Sequence, residues 1–209
     1  MDGLLFMNNE KRLYNSLCEQ HINTLDGYTH VRAYHACRPL SIDSYLTNGI
    51  MRRGKKELLS EALIRLGTLD VEPGDIENAF NAAWDEYHYD YNNRGVYLNL
   101  SKEILLQEAT HYLIYGGELF NATAVKLASN EREADHYRDE LKKTGIPSLF
   151  VCDIPLEDIL PGWELSVPLD CDCSILVSEV RSENIVDILH PKKMKDVYYQ
   201  NKLYVYDEG

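Results

Sequence analysis

The feature that most constrains the fold is a strand-like run over residues 28–36 that is followed closely by Pro39. Proline cannot donate a hydrogen bond to a neighbouring strand and is tolerated at strand edges and ends, so the strand has to stop here. A short amphipathic segment follows, and Asn48-Gly49 is typical of the end of a helix because both residues accept a left-handed backbone. We therefore predict the order strand, polar exit, short helix and glycine stop for residues 28–49.

Three polar side chains, Tyr34, His35 and Arg38, lie at the end of this predicted strand. Strand ends often carry small-molecule sites, because a rigid sheet holds a few polar groups at its rim. A histidine in this position can also be purely structural. The rest of the chain has to decide between these two interpretations.

Amphipathic patterns predict helices over much of the first two thirds of the chain. Residues 55–66 and 73–87 each place apolar side chains on one face, and we interpret residues 52–90 as a compact helical insert. Ser101 is a good N-cap for a helix over residues 102–115. Further helices are predicted over residues 8–22, 119–128 and 131–144.

The last third of the sequence changes to the alternation that is typical of strands. Residues 148–154 and 174–180 predict strands, and residues 198–206 predict a closing hairpin. Helices in the first half and strands in the second indicate an α+β fold. No repeat or interdomain linker is visible, so we interpret residues 1–209 as a single domain.

Composition limits the classes of partner that the protein can bind and indicates its cellular compartment. The formal net charge of -13 repels phosphate backbones, which argues against general affinity for nucleic acid or for an anionic membrane surface. The sequence shows no secretory signal and no apolar run of membrane-spanning length. Its five cysteines are odd in number and irregular in spacing, which favours free thiols and a cytoplasmic location.

His35, Tyr97 and Glu179 each fall on a predicted short strand, and their order resembles the ADP-ribosyltransferase superfamily in its His-Tyr-Glu branch. The first matching piece is Tyr34-His35-Ala36-Cys37-Arg38 with the helix that ends at Asn48-Gly49-Ile50. The second is Arg94-Gly95-Val96-Tyr97-Leu98 with the helix that follows it. The third is the segment over residues 174–185, which carries Glu179.

The resemblance implies an ADP-ribosyltransferase-like split, twisted β-sheet with flanking helices, and NAD as the substrate in the cleft between its halves. His35 would then bond to ribose hydroxyls, Tyr97 would stack on the nicotinamide ring, and Glu179 would stabilise positive charge that develops on the ribose. Arg38 would contact a pyrophosphate oxygen, with Tyr34 beside it in the cofactor site. The resemblance implies no metal.

The function implied is that of an NAD-dependent ADP-ribosyltransferase acting on a macromolecule, with a protein as the expected acceptor, or that of an NAD glycohydrolase. The Ser-Thr-Ser motif of the arginine-modifying branch is absent, and Val177 stands two residues before Glu179 where that branch has Glu or Gln. Arginine is therefore not the expected acceptor. Whether such an acidic protein serves as a toxin, a regulator or a defence factor stays open.

Other functions remain alternatives at this point. The 34 acidic residues are compatible with a non-enzymatic inhibitor or binding protein that docks to a basic partner. Transfer of a 2′-phosphate from RNA to NAD would need a basic RNA track, which the charge balance disfavours. Thiol or metal chemistry at Cys171-Asp172-Cys173 with His190 lacks zinc spacing, and Cys37 beside His35 is a further nucleophile candidate.

Overall fold

A seven-stranded antiparallel sheet forms the centre of an α+β fold, with helices packed on one of its faces. This architecture comes from a computed structural model, in which only the backbone is described for the first two strands. The described residues are 3–7, 10–14, 25–88, 94–165, 174–200 and 202–207.

The strands and helices of the described residues follow in chain order. The strands are β1 (Gly3–Met7), β2 (Glu10–Tyr14), β3 (Tyr28–Cys37), β4 (Ile50–Met51), β5 (Val96–Asn99), β6 (Ser148–Pro155), β7 (Ser174–Val177), β8 (Glu179–Val180), β9 (Ile185–Leu189), β10 (Lys193–Asp196) and β11 (Lys202–Val205). The helices are α1 (Asp43–Asn48), α2 (Lys55–Leu66), α3 (Pro73–Glu86), α4 (Lys102–Gln107), α5 (His111–Tyr115), α6 (Glu118–Leu127) and α7 (Glu131–Leu141).

Strand β3 organises the large sheet, because it is paired along both of its edges. One edge pairs with β6 over eight successive residues, from His30 opposite Pro155 to Cys37 opposite Ser148. The other edge is shared by β1 and by β5, which meets β3 at Tyr34. On the edge shared by β1 and β5, β1 pairs in turn with β2, and β5 pairs in turn with β7. On the opposite edge, β6 pairs in turn with β9.

Alternation along β3 separates two hydrophobic cores. Tyr34 and Ala36 belong to a helical core, which they form with residues from α2 to α7. Val31 and Ala33 belong to a strand core, which they form mainly with residues of β4 to β8. Side chains of a strand alternate between the two faces of its sheet, so odd-numbered positions of β3 face the strand core.

The helical layer is held to the end of β3 by Arg38, which is only 1% exposed. Its Nε donates to the carbonyl of Thr144 at 2.8 Å, and its Nη1 donates to the carbonyl of Leu113 at 3.1 Å. Its Nη2 donates to the carbonyl of Lys142. The side chain thus donates to three backbone carbonyls from separate segments, of which those of Thr144 and Lys142 also accept from Arg65 and Tyr204.

Arg65 of α2 completes this buried network. Its Nε donates to Oε1 of Glu61 at 2.7 Å, and its Nη1 donates to the carbonyl of Thr144 at 2.9 Å. Its Nη2 donates to the backbone carbonyl of Arg38 itself. The exit of β3, helix α2 and the turn after α7 are therefore joined through two guanidinium groups.

Helix α1 ends against β8 at Gly49. The Gly49 amide donates to the carbonyl of Tyr45, and its φ of 79° is one that only glycine adopts readily. A Cβ there would lie 2.1 Å from the carbonyl oxygen of Val180, so a larger residue would force the two segments apart. The predicted helix end at Asn48-Gly49 is confirmed, and its close contact brings β4 into register with β8.

Several predicted helices are confirmed with nearly the expected bounds. Residues 55–66 and 73–86 are helical, Pro73 lies in the first turn, and Ser101 caps α4 by accepting from the amide of Ile104. The two helices within the predicted 52–90 insert pack into the helical core together with the sheet. None of the helices in the described ranges has the length and apolar character that a bilayer span requires.

Three expectations for the secondary structure are wrong. Residues 10–14 form a strand that pairs with β1, although residues 8–22 were expected to be helical. The helix expected over residues 102–115 is interrupted, because the Thr110 hydroxyl donates to the carbonyl of Lys195 and so ties the chain to β10. The closing hairpin uses β10 and β11, with residues 198–199 in the turn between them.

The buried network predicts a large loss of stability in Arg65→Met. Methionine fills similar volume but leaves Glu61 with Arg53 as its remaining partner. It also removes one donor from the Thr144 carbonyl, which keeps Arg38, and removes the Arg65 donor from the Arg38 carbonyl. We expect the free energy of unfolding to fall by about 3–5 kcal/mol in urea titrations. Arg132→Met, which removes an exposed arginine from α7, is the matched control and should change it by less than about 0.5 kcal/mol. Equal effects in the two variants would contradict this role for Arg65.

Candidate functional site

His35 lies where β3 and β5 separate. The two strands pair at Tyr34 and Asn99. Beyond this pair, Nδ1 of His35 lies 2.9 Å from the carbonyl oxygen of Tyr97. The imidazole therefore connects the two strands next to the point where their backbone pairing ends.

This hydrogen bond determines the protonation of the ring. A carbonyl oxygen only accepts, so Nδ1 of His35 carries the proton and Nε2 keeps its lone pair in the neutral form. Burial lowers the pKa of His35 from its ordinary value of 6.5, against a smaller effect of the Tyr97 carbonyl that raises it. Near neutral pH the ring is thus an uncharged hydrogen-bond acceptor at Nε2.

The ring of Tyr97 leaves β5 on the other face of the sheet from His35. Its chain neighbours Val96 and Leu98 are buried in the strand core, whereas Tyr97 is 42% exposed. The ring packs edge-on against Trp163, with centroids 5.4 Å apart and planes at 82°. His35 and Tyr97 therefore meet through the Tyr97 carbonyl, with their rings on opposite sides of the gap.

Glu179 lies outside the large sheet, in the two-stranded pairing of β4 with β8. Its cross-strand partner is Met51, and both side chains are exposed, while the adjacent Ile50 and Val180 are buried in the strand core. Cross-strand partners project from the same face. Within the described residues the side chain of Glu179 has no ion pair or hydrogen bond, and its carboxylate is exposed beside Met51.

Met51 is also one wall of a cavity of about 350 Å³ between α1 and α2. Glu179 is the cross-strand partner of this lining residue and does not itself line the cavity. Polar and charged side chains from several elements converge on it: Ser41, Ser44, Asn48, Arg52, Arg53, Glu57 and Glu61.

The two arginines of this cavity differ in whether a carboxylate of the protein already pairs with them. Arg53 is paired with Glu61, which also binds Arg65 from the buried side. Arg52 is exposed, and no carboxylate pairs with it in the part of the chain that the structure describes. Its guanidinium is therefore open to an anionic group of a ligand.

Two stacked rings separate this cavity from His35. Tyr45 lines the cavity and stacks on Phe150 with centroids 4.9 Å apart. Phe150 in turn lies 6.5 Å from the His35 ring, as its cross-strand neighbour on the strand-core face. The imidazole and the cavity thus lie on either side of these two rings.

Arg38 and Tyr34 need correction as candidate cofactor ligands. Both are at least 97% buried on the helical-core face of β3, opposite His35. The Arg38 guanidinium is occupied by three backbone carbonyls, so it has a structural role in place of the expected contact with pyrophosphate. The alternation of strand residues explains this, because position 38 follows 34 and 36 on one face.

The thiol alternatives have different outcomes. Burial raises the pKa of Cys37 to about 12, with a smaller opposing effect of a hydrogen bond to Tyr45. The thiol therefore stays protonated near neutral pH and is a poor nucleophile. Residues 171–173, the other thiol candidate, lie outside the described residues.

Two residues of this region escaped sequence reasoning. Arg52 belongs to the run Met51-Arg52-Arg53-Gly54 directly after the helix stop, and paired cations at such a position are a usable signal. Trp163 lies in a turn far from Tyr97 in the sequence, and no periodicity connects the two. Only the fold brings their rings together.

The lowered pKa of His35 predicts a pH dependence of stability. The unfolded chain binds a proton near pH 6.5, whereas the folded chain resists it, so the unfolding free energy falls as the pH drops below 6.5. His35→Asn keeps a donor near the position of Nδ1 but cannot be protonated. Urea titrations at a series of pH values should therefore show a shallower acid loss for His35→Asn than for wild type. Equal pH dependence of the unfolding free energy in wild type and His35→Asn would contradict the prediction, because His35 would then bind protons equally well in the folded and the unfolded chain.

Comparison with known proteins leaves the site to be interpreted on its own geometry. No family model, no curated protein and no solved structure matches this chain.

Proposed function

We propose that this protein cleaves the bond between nicotinamide and ribose in NAD and transfers ADP-ribose to a macromolecule or to water. The observation that carries the proposal is the α1–α2 cavity, which Met51 and Arg52 line and next to which Glu179 lies as the cross-strand partner of Met51. Within the described residues, no opposite charge pairs with the side chains of Arg52 and Glu179. Such a pair suits a substrate that combines a diphosphate with a sugar that becomes positively charged.

The reaction needs negative charge next to the sugar. As the bond from C1′ to the nicotinamide nitrogen breaks, its electron pair leaves with the nitrogen and C1′ becomes electron-poor. A fixed carboxylate stabilises this cation electrostatically, and we assign that role to Glu179. The acceptor hydroxyl or amine, or water, then bonds to C1′ and releases its proton.

His35 and Tyr97 are assigned to binding in this proposal. The neutral His35 ring offers Nε2 as an acceptor for a ribose hydroxyl, and its tautomer is held by the Tyr97 carbonyl. Tyr97, whose side chain is 42% exposed, keeps the role that the resemblance implies for it, stacking on the nicotinamide ring. The gap between β3 and β5 would correspond to the split of an ADP-ribosyltransferase-like sheet.

Arg52 replaces Arg38 as the proposed ligand of the diphosphate. A guanidinium binds phosphate oxygens in a bidentate manner, and Ser41, Ser44 and Asn48 supply further hydrogen-bonding groups in the same cavity. The local positive charge of Arg52 also offsets the repulsion that a net charge of -13 exerts on an anionic substrate.

The overall charge favours a basic acceptor. A chain with 34 acidic residues and a net charge of -13 attracts basic protein surfaces and repels nucleic acid, so a protein acceptor is the first choice. We place the reaction in the cytoplasm, since Cys37 and Cys152 are free thiols in the described structure.

A groove on the helical layer supports a second candidate function, that of a binding protein for a basic partner. The groove, of about 660 Å³, lies between α3, α6 and α7 and includes the carboxylates of Asp75 and Glu133. Its one lysine among the lining residues, Lys126, is neutralised by Glu86. A salt-sensitive complex with a basic partner, formed without release of nicotinamide from NAD, would favour this candidate.

Glu179→Gln is the sharpest test of the enzymatic role, because it keeps the shape of the side chain and removes its charge. We expect kcat for nicotinamide release to fall by ~100–1,000-fold while the KM for NAD changes little. Release is measured by chromatography of nicotinamide with and without cell extract. The matched control is Glu183→Gln, an exposed glutamate next to β8 that pairs with Arg181. Equal rates for Glu179→Gln and wild type would remove Glu179 from the reaction.

Arg52→Ala tests the binding of the diphosphate. Loss of a charge-assisted hydrogen bond at an exposed position should raise the KM for NAD about tenfold, with kcat nearly unchanged. Arg132→Ala removes the same charge from the distant helix α7 and serves as the control for long-range electrostatics. A KM that rises equally in both variants would show that only net charge matters.

A further inference from the structure

The hairpin of β10 and β11 has one face fixed to the helical layer. On that face Met194 is buried in the helical core. The Asp196 carboxylate accepts from the Tyr115 hydroxyl and pairs with Lys142 at 3.3 Å. The hydroxyl of Tyr204 donates to the carbonyl of Lys142 at 3.4 Å. These contacts fix the position of the hairpin, so its opposite face is a defined surface.

The opposite face of the hairpin combines apolar and cationic side chains. Lys193 is the cross-strand partner of Val205, and Lys195 is the cross-strand partner of Leu203. All four side chains are exposed, and Leu203, at 63%, has the highest exposure of any large hydrophobic side chain in the described residues. Cross-strand partners project from the same face, so these four residues form one surface, which we call the hairpin patch.

The charge of the hairpin patch is opposite to that of the chain as a whole. The formal net charge is -13, yet no carboxylate pairs with Lys193 or Lys195 in the part of the chain that the structure describes. The aliphatic stems of the lysines lie beside Val205 and Leu203, which leaves the ammonium groups to solvent. The patch is therefore a local site of attraction for acidic groups.

The outer edge of β11 also carries backbone groups that no strand uses. The amide of Tyr206 donates to the carbonyl of Lys192 at 2.8 Å, which sets the alternation of hydrogen bonds in this antiparallel pair. In that alternation the amides and carbonyls of Leu203 and Val205 point away from β10. The two-stranded sheet ends at β11, and within the described ranges no third strand bonds to these groups.

The contacts of β10 show which strand is the outer one. The carbonyl of Lys195 points away from β11 in the same alternation, and it accepts from the Thr110 hydroxyl of the helical layer at 2.6 Å. The far edge of β10 is thus covered by the protein itself. The edge of β11 is the one that can accept a further strand.

We propose that the free edge of β11 binds an extended segment of a partner protein in which acidic and apolar residues alternate. Main-chain hydrogen bonds to Leu203 and Val205 would add this segment to the hairpin as a third strand. Its residues on the patch face lie two strand spacings, about 10 Å, from β10. Glutamate side chains there reach over Leu203 and Val205 to the ammonium groups of Lys193 and Lys195.

The lysines favour such a partner over a second copy of this chain. Pairing of β11 with β11 of another copy would place two sets of Lys193 and Lys195 on one face of the resulting sheet, where like charges repel. Lysines near an open edge also prevent indiscriminate strand pairing. The proposal does not depend on the chemistry proposed for NAD, because no residue of the hairpin patch lines the α1–α2 cavity.

The probe is a short fluorescein-labelled peptide that alternates valine and glutamate, titrated with the full chain while its fluorescence anisotropy is followed. We expect saturable binding that weakens with added salt, because salt screens the attraction between carboxylates and lysines. The same peptide with every backbone amide N-methylated keeps its side chains but cannot donate to β11. We expect no saturable binding of this second peptide.

Charge reversal tests the part of the lysines. Lys193→Glu/Lys195→Glu should raise the Kd for the valine–glutamate peptide by roughly tenfold or more. It should also bind a valine–lysine peptide more tightly than wild type does, a gain that misfolding cannot produce. Lys56→Glu/Arg132→Glu changes the net charge equally at exposed positions of α2 and α7, and we expect it to bind both peptides as wild type does.

Four results would overturn the proposal. Equal binding of the N-methylated peptide would exclude strand addition, and equal weakening in the two double variants would show that only net charge matters. A dimer that is lost in Leu203→Glu, in a chain that binds no peptide, would assign the edge to a second copy. Binding to phosphatidylserine vesicles without binding of the peptide would assign the hairpin patch to a lipid surface.

Discussion

The structure depends on the burial of two guanidinium groups at the exit of β3. Arg38 and Arg65 together bind the carbonyls of the turn after α7, and Glu61 balances part of their charge. A buried charge without such partners would cost several kcal/mol, so the network allows one arrangement of the strand, α2 and that turn. The network selects this arrangement of the three segments more than it adds stability, because the net gain in stability from buried ion pairs is modest.

The network also explains where the polar cavity lies. Glu61 is shared between the buried Arg65 and Arg53 at the cavity wall, so the network extends from the helical core to the surface beside α1. Gly49 then brings α1 against β8, where Glu179 lies opposite Met51 of the cavity wall. The candidate site is therefore built from short segments whose relative positions depend on the exit of β3.

Local patterns were sufficient to predict the α+β class, the helices α2 and α3, and the end of α1 at Gly49. They could not predict that Arg38 is buried, because its partners are backbone carbonyls more than seventy residues away in sequence. Large separation in the sequence also explains why the contact of Tyr97 with Trp163 and the pairing of Glu179 with Met51 could not be predicted. The helix expected near the N-terminus is wrong at residues 10–14 because pairing with β1 overrides the weak helical spacing of that segment.

The central claim is that NAD occupies the cavity beside Glu179 with its diphosphate at Arg52. A crystal structure of Glu179→Gln grown with NAD tests it most directly, since the variant should bind the substrate without consuming it. The account predicts the diphosphate within hydrogen-bonding distance of Arg52 and the ribose of the nicotinamide side next to residue 179. An empty cavity at saturating NAD, or NAD bound in the groove between α3, α6 and α7, would contradict it.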